Sequence, residues 1–256
     1  RRPEKTEENM GENMQRVVSD IRWEKAQVYE RGFWSRQASQ SSGEASEFEW
    51  YEDRARRVWE QARPLLGGRD AVNILEIGPG PVGLVNYIEA DERHALDPLE
   101  DYYCTQPDFV RVRDRNVRRY NGTGEDILSL NKAFSFIILD NVLDHMKDPC
   151  RVLRGIHQSL EGRGIMFISL NIYTRFGALL RDAMECLQID KGHPFNFSHR
   201  LIVSLIENSA FKVVLSEMED YRTQKKMYMR SGQPRKVLKS ALGVVDFRFS
   251  AFCRKV

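Results

Sequence analysis

The chain has 256 residues, of which 41% are hydrophobic and 30% charged. That is long enough for one large core, or one core with a modest extension, and it excludes a disordered tail. A formal charge of +2 excludes a broad basic footprint for nucleic acid or anionic lipid. The four cysteines (Cys104, Cys150, Cys186, Cys253) form no CxxC pair. Their spacing argues against a zinc site or a disulfide scaffold and fits a reducing, cytoplasmic setting. No apolar stretch approaches the roughly 20 residues that cross a bilayer.

In chain order, the opening RRPEKTEENMGE is charged and reads as a frayed arm. Met14, Val18, Ile21 and Val28 recur at nearly helical spacing, which predicts an amphipathic helix running towards Phe33 and Trp34. The polar stretch Gln37 to Ser46 reads as a loop. Ser46 with Glu49 matches a capping box for a second helix. Its apolar stripe is Phe48, Tyr51, Ala55, Val58, Ala62 and Leu65, and it ends at Pro64 and Gly67-Gly68.

From residue 72 the pattern alternates between strands and helices. Val72 to Ile77 is a short apolar run, Pro81 to Ala90 reads as a helix, and His94 to Asp97 as a second strand. Phe134 to Leu139 is a strongly apolar strand. Arg151 to Leu160 is a helix with Val152, Ile156 and Leu160 on one face. The turn Gly162-Arg163-Gly164 leads to a strand over Ile165 to Leu170. Phe211 to Leu215 and Val245 to Cys253 read as strands, and the basic segment Arg222 to Lys239 between them as loop with a short helix. Such alternation predicts a mainly parallel sheet covered by helices on both faces.

The stretch Asn73-Ile-Leu-Glu-Ile-Gly-Pro-Gly-Pro-Val-Gly83 carries the chemistry. A buried strand feeds a glycine-rich turn that opens a helix, where backbone N–H groups and close approach favour a ligand. Gly78, Gly80 and Gly83 fit the dinucleotide pattern GxGxxG, which alone does not choose a cofactor. Glu76 would repel a pyrophosphate but suits a cationic ligand with a sulfonium and an ammonium group. Asp97, at the end of the next strand, can accept hydrogen bonds from two ribose hydroxyls and suits either cofactor.

Several further segments extend the match in order over residues 70 to 217. Glu76 to Gly83 resembles motif I of the class I S-adenosylmethionine-dependent methyltransferases, and Leu96-Asp97-Pro98-Leu99 resembles their second-strand acid. Gly124-Glu125-Asp126-Ile127 is similar to the loop that meets the adenine. Leu139-Asp140-Asn141-Val142-Leu143-Asp144-His145 with Asp148-Pro149 resembles motif IV of the type 11 group, and His193-Pro194-Phe195-Asn196-Phe197-Ser198 continues the likeness. The chain departs from the family at Phe134-Ser135, at Glu161 to Gly164 and at Ala210, none of which touches the inferred donor site.

The resemblance implies a Rossmann-like three-layer α/β sandwich with a seven-stranded, mostly parallel sheet, its last strand antiparallel. Residues 1–68 would form an N-terminal helical extension or lid, and 69–256 the S-adenosylmethionine-binding methyltransferase domain. It implies S-adenosyl-L-methionine as donor and S-adenosyl-L-homocysteine as product. Donor-binding candidates are Glu76, Gly78, Gly80, Asp97, Glu125, Asp126, Asn141 and Val142. Bland readings stay open beside these: a tight turn at the glycines, a helix cap or turn at Asp97, a charged loop at Glu125 and Asp126.

His145 and His193 are candidates for catalysis on the acceptor side, His145 as a general base near neutral pH. No third ligand stands at useful sequence spacing from them, so no metal is expected. Tyr29, Phe33, Trp34, Trp50 and Tyr51 could close over the cleft or simply pack the N-terminal helices. The run Arg222, Lys225, Lys226, Arg230, Arg235, Lys236 and Lys239 reads as a solvated face or an anion site. The expected activity is methyl transfer to a small-molecule or glycan-like metabolite, at oxygen. Rivals are an NAD-dependent oxidoreductase, a catalytically silent donor-binding scaffold, and an RNA or protein methyltransferase. The acceptor and the oligomeric state are not legible.

Overall fold

A computed structural model describes residues 17–40, 48–67, 72–185 and 192–256. Its strands are β1 (Asn73–Ile77), β2 (Glu92–Asp97), β3 (Val117–Asn121), β4 (Phe134–Asp140), β5 (Leu160–Ile172), β6 (Phe211–Met218) and β7 (Phe247–Lys255). They form one sheet in the order β3-β2-β1-β4-β5-β7-β6. The first five run parallel, while β7 lies antiparallel between β5 and β6. The strand order reverses between β1 and β4, which is where an open α/β sheet leaves a crevice at its carboxyl ends.

The helices are α1 (Asp20–Gln40), α2 (Glu49–Leu65), the short α3 (Glu100–Tyr103) and α4 (Pro107–Val112), α5 (Pro149–Ser159), α6 (Arg175–Glu185), α7 (His199–Asn208), α8 (Tyr221–Arg230) and α9 (Pro234–Leu242). Alternate residues of the central strands feed opposite cores, as a period of two requires. Leu75, Ile137 and Leu139 pack with Val152 and Ile156 of α5 and with Ile202 and Leu205 of α7. Ile74, Phe136 and Ile138 pack instead with Tyr51, Ala55 and Val58 of α2. Burial on both faces explains why β4 is apolar from Phe136 to Leu139 without alternation.

Several local expectations are corrected. Helix α1 continues to Gln40, through positions read as loop. Ile21 and Val28 are exposed, whereas Arg22 and Ala26 are buried. Val18 is buried as the spacing implies, but within the helix the face that meets the crevice carries Trp23, Gln27, Glu30 and Trp34 rather than Ile21 and Val28. Met14 and Ser46 lie outside the described residues. The position before α2 is held by Phe48, with no side-chain cap.

No α-helix forms over 81–90. The segment is a turn with one 3-10 turn at Leu84–Asn86. Gly80 and Gly83 adopt φ of 65° and 85°, which interrupts right-handed helix formation. Leu160 starts β5 rather than ending α5, and residues 161–164 bulge opposite Ser135, between the pairs Phe134–Leu160 and Phe136–Ile165. The basic segment holds two helices, α8 and α9. Strand β3 and helices α6 and α7 had no counterpart in the sequence reading. Strand β3 carries Arg118 and Arg119 at the edge of the sheet, so it lacks an apolar signature.

Candidate functional site

The crevice at the ends of β1, β2 and β4 is lined by Gly78, Gly80, Asp97, Glu125, Asn141 and Val142, among others. Gly78 has φ of 66°, and its N–H donates to the Leu96 carbonyl at 2.8 Å, tying the glycine loop to β2. A Cβ there would stand 2.1 Å from Val142 Cγ2, so only glycine allows this approach. The Gly80 N–H donates to Asp97 Oδ2 at 3.0 Å, while Asp97 Oδ1 accepts from the Leu99 N–H at 2.8 Å. Asp97 thus organises both turns and also lines the crevice, which joins two readings the sequence left as alternatives. Burial pushes its carboxyl up to about 6.

Glu76 is buried and lines the same crevice. Its Oε2 accepts the Val85 N–H at 2.7 Å, so it caps the 3-10 turn that replaces the expected helix. Burial, opposed by hydrogen bonds from the Val85 and Leu84 backbone, pushes its carboxyl up to about 7.

The adenine-loop pair separates. Glu125 Oε1 accepts N–H bonds from Lys147 and Asp148, both at 2.8 Å, and its buried Oε2 has no hydrogen-bond partner. Asp126 instead closes a capping box, accepting from the Thr123 N–H at 3.1 Å and the Thr123 hydroxyl at 2.7 Å. It does not line the crevice and faces a shallow depression on α5. Asn141 has φ of 58°, and its buried Oδ1 lacks a partner.

The N-terminal helices cover the crevice. Trp23, Gln27, Glu30 and Trp34 lie on one face of α1 at helical spacing and line it, with Trp50 and Tyr51 from α2. Of the five aromatics expected there, Tyr29 and Phe33 do not line it. Arg22 anchors α1 through a buried ion pair with Glu185 of α6, Nε to Oε1 at 2.5 Å. Arg54 of α2 grips Asp140 through two bonds of 2.6 Å. The sequence reading missed Arg54, although it stands on the apolar stripe between Tyr51 and Val58, where a charge needs a buried partner.

His145 lines the crevice, and its ring centroid lies 4.5 Å from that of His193. Asp144 sits between them: its Oδ1 is 3.9 Å from His145 Nε2 and its Oδ2 is 3.9 Å from His193 Nε2. The structure thus brings a third potential ligand to the two histidines, a grouping that sequence spacing did not suggest. Sequence adjacency of Asp144 and His145 was the available signal. The basic run lies on α8 and α9 and around them, exposed or half-buried, and lines none of the crevice.

The residues fit an adenosyl donor with a cationic methionine end. Asn141 Oδ1 and Glu125 Oε2 are buried acceptors without partners, suited to amino groups, and Asp97 keeps acceptor capacity for ribose hydroxyls. Sheet order and crevice are those of the class I, Rossmann-like methyltransferase fold. A family model described as "Methyltransferase domain" (Methyltransf_23) matches residues 50–216, well over half the chain, and the chain belongs to that family. It is an S-adenosylmethionine-dependent methyltransferase.

Solved structures share the fold at low identity. A candidate sarcosine dimethylglycine methyltransferase from Galdieria sulphuraria is 14% identical with a TM-score of 0.57, covering 80% of this chain and 84% of that one. Coclaurine N-methyltransferase bound to N-methylheliamine and SAH is 13% identical, TM-score 0.51, covering 77% and 72%. The [4+2]-cyclase SpnF is 14% identical, TM-score 0.53, covering 78% and 80%. No curated protein sequence matches the chain. Among the described residues, no helix is long and apolar enough to cross a membrane.

Proposed function

We propose that this methyltransferase acts on a hydroxyl oxygen of a small molecule, a class that includes glycan-like metabolites. The observation that carries this reading is the convergence of His145, His193 and Asp144 beside the end of β4. An imidazole can accept the proton that a hydroxyl gives up as its oxygen attacks the methyl carbon. S-adenosylmethionine supplies a methyl group on a positively charged sulfur, so attack needs no further activation of the donor.

On this reading Gly78 and Gly80 admit the donor backbone-close, Asp97 receives its ribose, and Glu125 Oε2 receives the adenine amino group. Asn141 Oδ1 and the charge of Glu76 favour the methionine ammonium. Asp126 acts at one remove, by holding the loop that carries Glu125. Helix α1, with Trp34 and Tyr51, excludes water and acts as a lid over 69–256. Positioning of the acceptor oxygen in line with the carbon–sulfur bond then provides most of the acceleration.

The test is transfer of labelled methyl from S-adenosylmethionine to a panel of small alcohols, phenols, sugars and amines. Product with hydroxylated acceptors, lost in Asp97→Ala through donor binding and in His145→Ala without change in donor binding, supports the reading. Turnover with amines alone overturns the oxygen assignment, and absence of turnover with donor bound points to a silent scaffold.

A further inference from the structure

We propose that Asp144, His145 and His193 bind one divalent transition-metal cation on the acceptor side of the donor crevice. The inference rests on the acceptor-side reading above and deepens it. One ligand atom from each residue falls within 4.8 Å of the other two. Around a single zinc-sized ion, with bonds of about 2.1 Å, such atoms stand roughly 3.3 Å apart. Asp144 turns Oδ1 to His145 Nε2 and Oδ2 to His193 Nε2, each at 3.9 Å, so the carboxylate stands between the two imidazoles and an ion would draw the three groups inward.

A second observation points to a ligand here. Asp144 is 5% exposed, and its Oδ1 is buried with no hydrogen-bond partner. A carboxylate oxygen left in that state is costly unless a cation completes it. Two imidazoles with one carboxylate select zinc, iron(II), cobalt(II) or manganese rather than magnesium or calcium.

The two ligand segments are also held together. The Asp144 carbonyl accepts the Phe195 N–H at 3.4 Å, and Asn196 is bonded to Arg181 and Asp182 of α6 at 2.7 and 3.0 Å. The loop carrying His193 is thereby tied both to the turn carrying His145 and to α6. Three protein ligands leave coordination positions open, and His145 brings the group to the crevice wall.

An acceptor hydroxyl at an open position loses its proton to water more readily. Its oxygen forms the new bond to the methyl carbon as the carbon–sulfur bond breaks, and that electron pair stays on sulfur. The acceptor class this selects is one that offers an oxygen, or two adjacent oxygens, to a metal.

The metal-stripped protein is titrated with Co²⁺ and then Zn²⁺, following visible absorption and heat, with S-adenosylhomocysteine binding measured on the same samples. One Co²⁺ per chain, displaced by Zn²⁺, is expected. Affinity should fall about 100-fold or more in Asp144→Asn and in His193→Gln, and stay unchanged in Asp97→Ala. His193 is 38% exposed, so its replacement tests binding apart from folding. No binding to the unaltered chain, or equal binding by both metal-site variants, overturns the proposal. Failure of S-adenosylhomocysteine to bind the unaltered chain overturns the donor-site reading instead, and leaves the metal titration readable.

Discussion

Arg54 of α2 forks onto Asp140 at the end of β4, its Nε and Nη2 each 2.6 Å from a carboxylate oxygen. The same Nη2 donates to Ser169 Oγ of β5 at 2.9 Å. One guanidinium thus fastens the covering helix to β4, whose end lines the crevice, and to its neighbour β5, in a planar geometry that lysine cannot copy.

Removing Arg54 leaves Asp140 almost buried and unpaired. Arg54→Ala should therefore cost about 3 kcal/mol of stability, the usual loss when one partner of a buried pair is deleted. Arg54→Ala combined with Asp140→Asn should recover part of that loss. Urea denaturation of the two single variants and the double variant measures the coupling, and a loss near zero would mean the pair behaves like a surface contact.

Gly78 is constrained twice, by φ of 66° and by the 2.1 Å that would separate its Cβ from Val142 Cγ2. Gly78→Ala should weaken S-adenosylhomocysteine binding on the order of 100-fold, because the loop must shift out of the crevice. Adding Val142→Ala removes the 2.1 Å collision but leaves the residue-142 Cβ at 3.0 Å and the backbone strain, so calorimetry should show partial recovery. Full recovery would assign the whole effect to sterics.

The raised carboxyls make a signed prediction about pH. Glu76 at about 7 and Asp97 at about 6 lie above the usual carboxylate range. Between roughly pH 4 and 7 the folded chain therefore holds protons that the unfolded chain has released, and stability from these groups falls as pH rises. Glu76→Gln should flatten that slope, read as Tm against pH. A cationic donor favours the ionised forms, so its binding should release protons and tighten from pH 5.5 to 7.5. Calorimetry in two buffers of different ionisation heat counts those protons, and proton uptake would contradict the assignment.

The buried pair Arg22–Glu185 is the clasp of α1. Glu185→Ala should speed amide exchange in α1 and quicken donor release, while exchange in β1 and β4 stays slow. Uniform acceleration across the sheet would show that the pair supports the whole fold rather than the cover.

Two strands around the site were legible because burial on both faces writes itself as largely apolar runs, Val72 to Ile77 and Phe134 to Leu139, which became β1 and β4. The glycine loop was legible because positive φ and close approach demand glycine at positions 78 and 80. Strand β3 was not, since two arginines occupy an edge strand, and neither was the loss of the helix over 81–90. That loss follows from φ at Gly83 and from Glu76 capping Val85. No local pattern announces a cap supplied nine residues earlier.

What the sequence determined by itself is the glycine loop, the acid at Asp97 beside it, and the methyltransferase class they point to. Each depends on residues a few positions apart, whose geometry the backbone imposes. Tertiary structure alone decided which face of α1 meets the crevice, that Asp126 turns away while Glu125 turns in, and that Asp144 stands between His145 and His193. Those relationships join segments distant in the chain, as Arg22 and Glu185 are. They arise from how helices dock on the sheet, where burial of charge and apolar area is satisfied collectively.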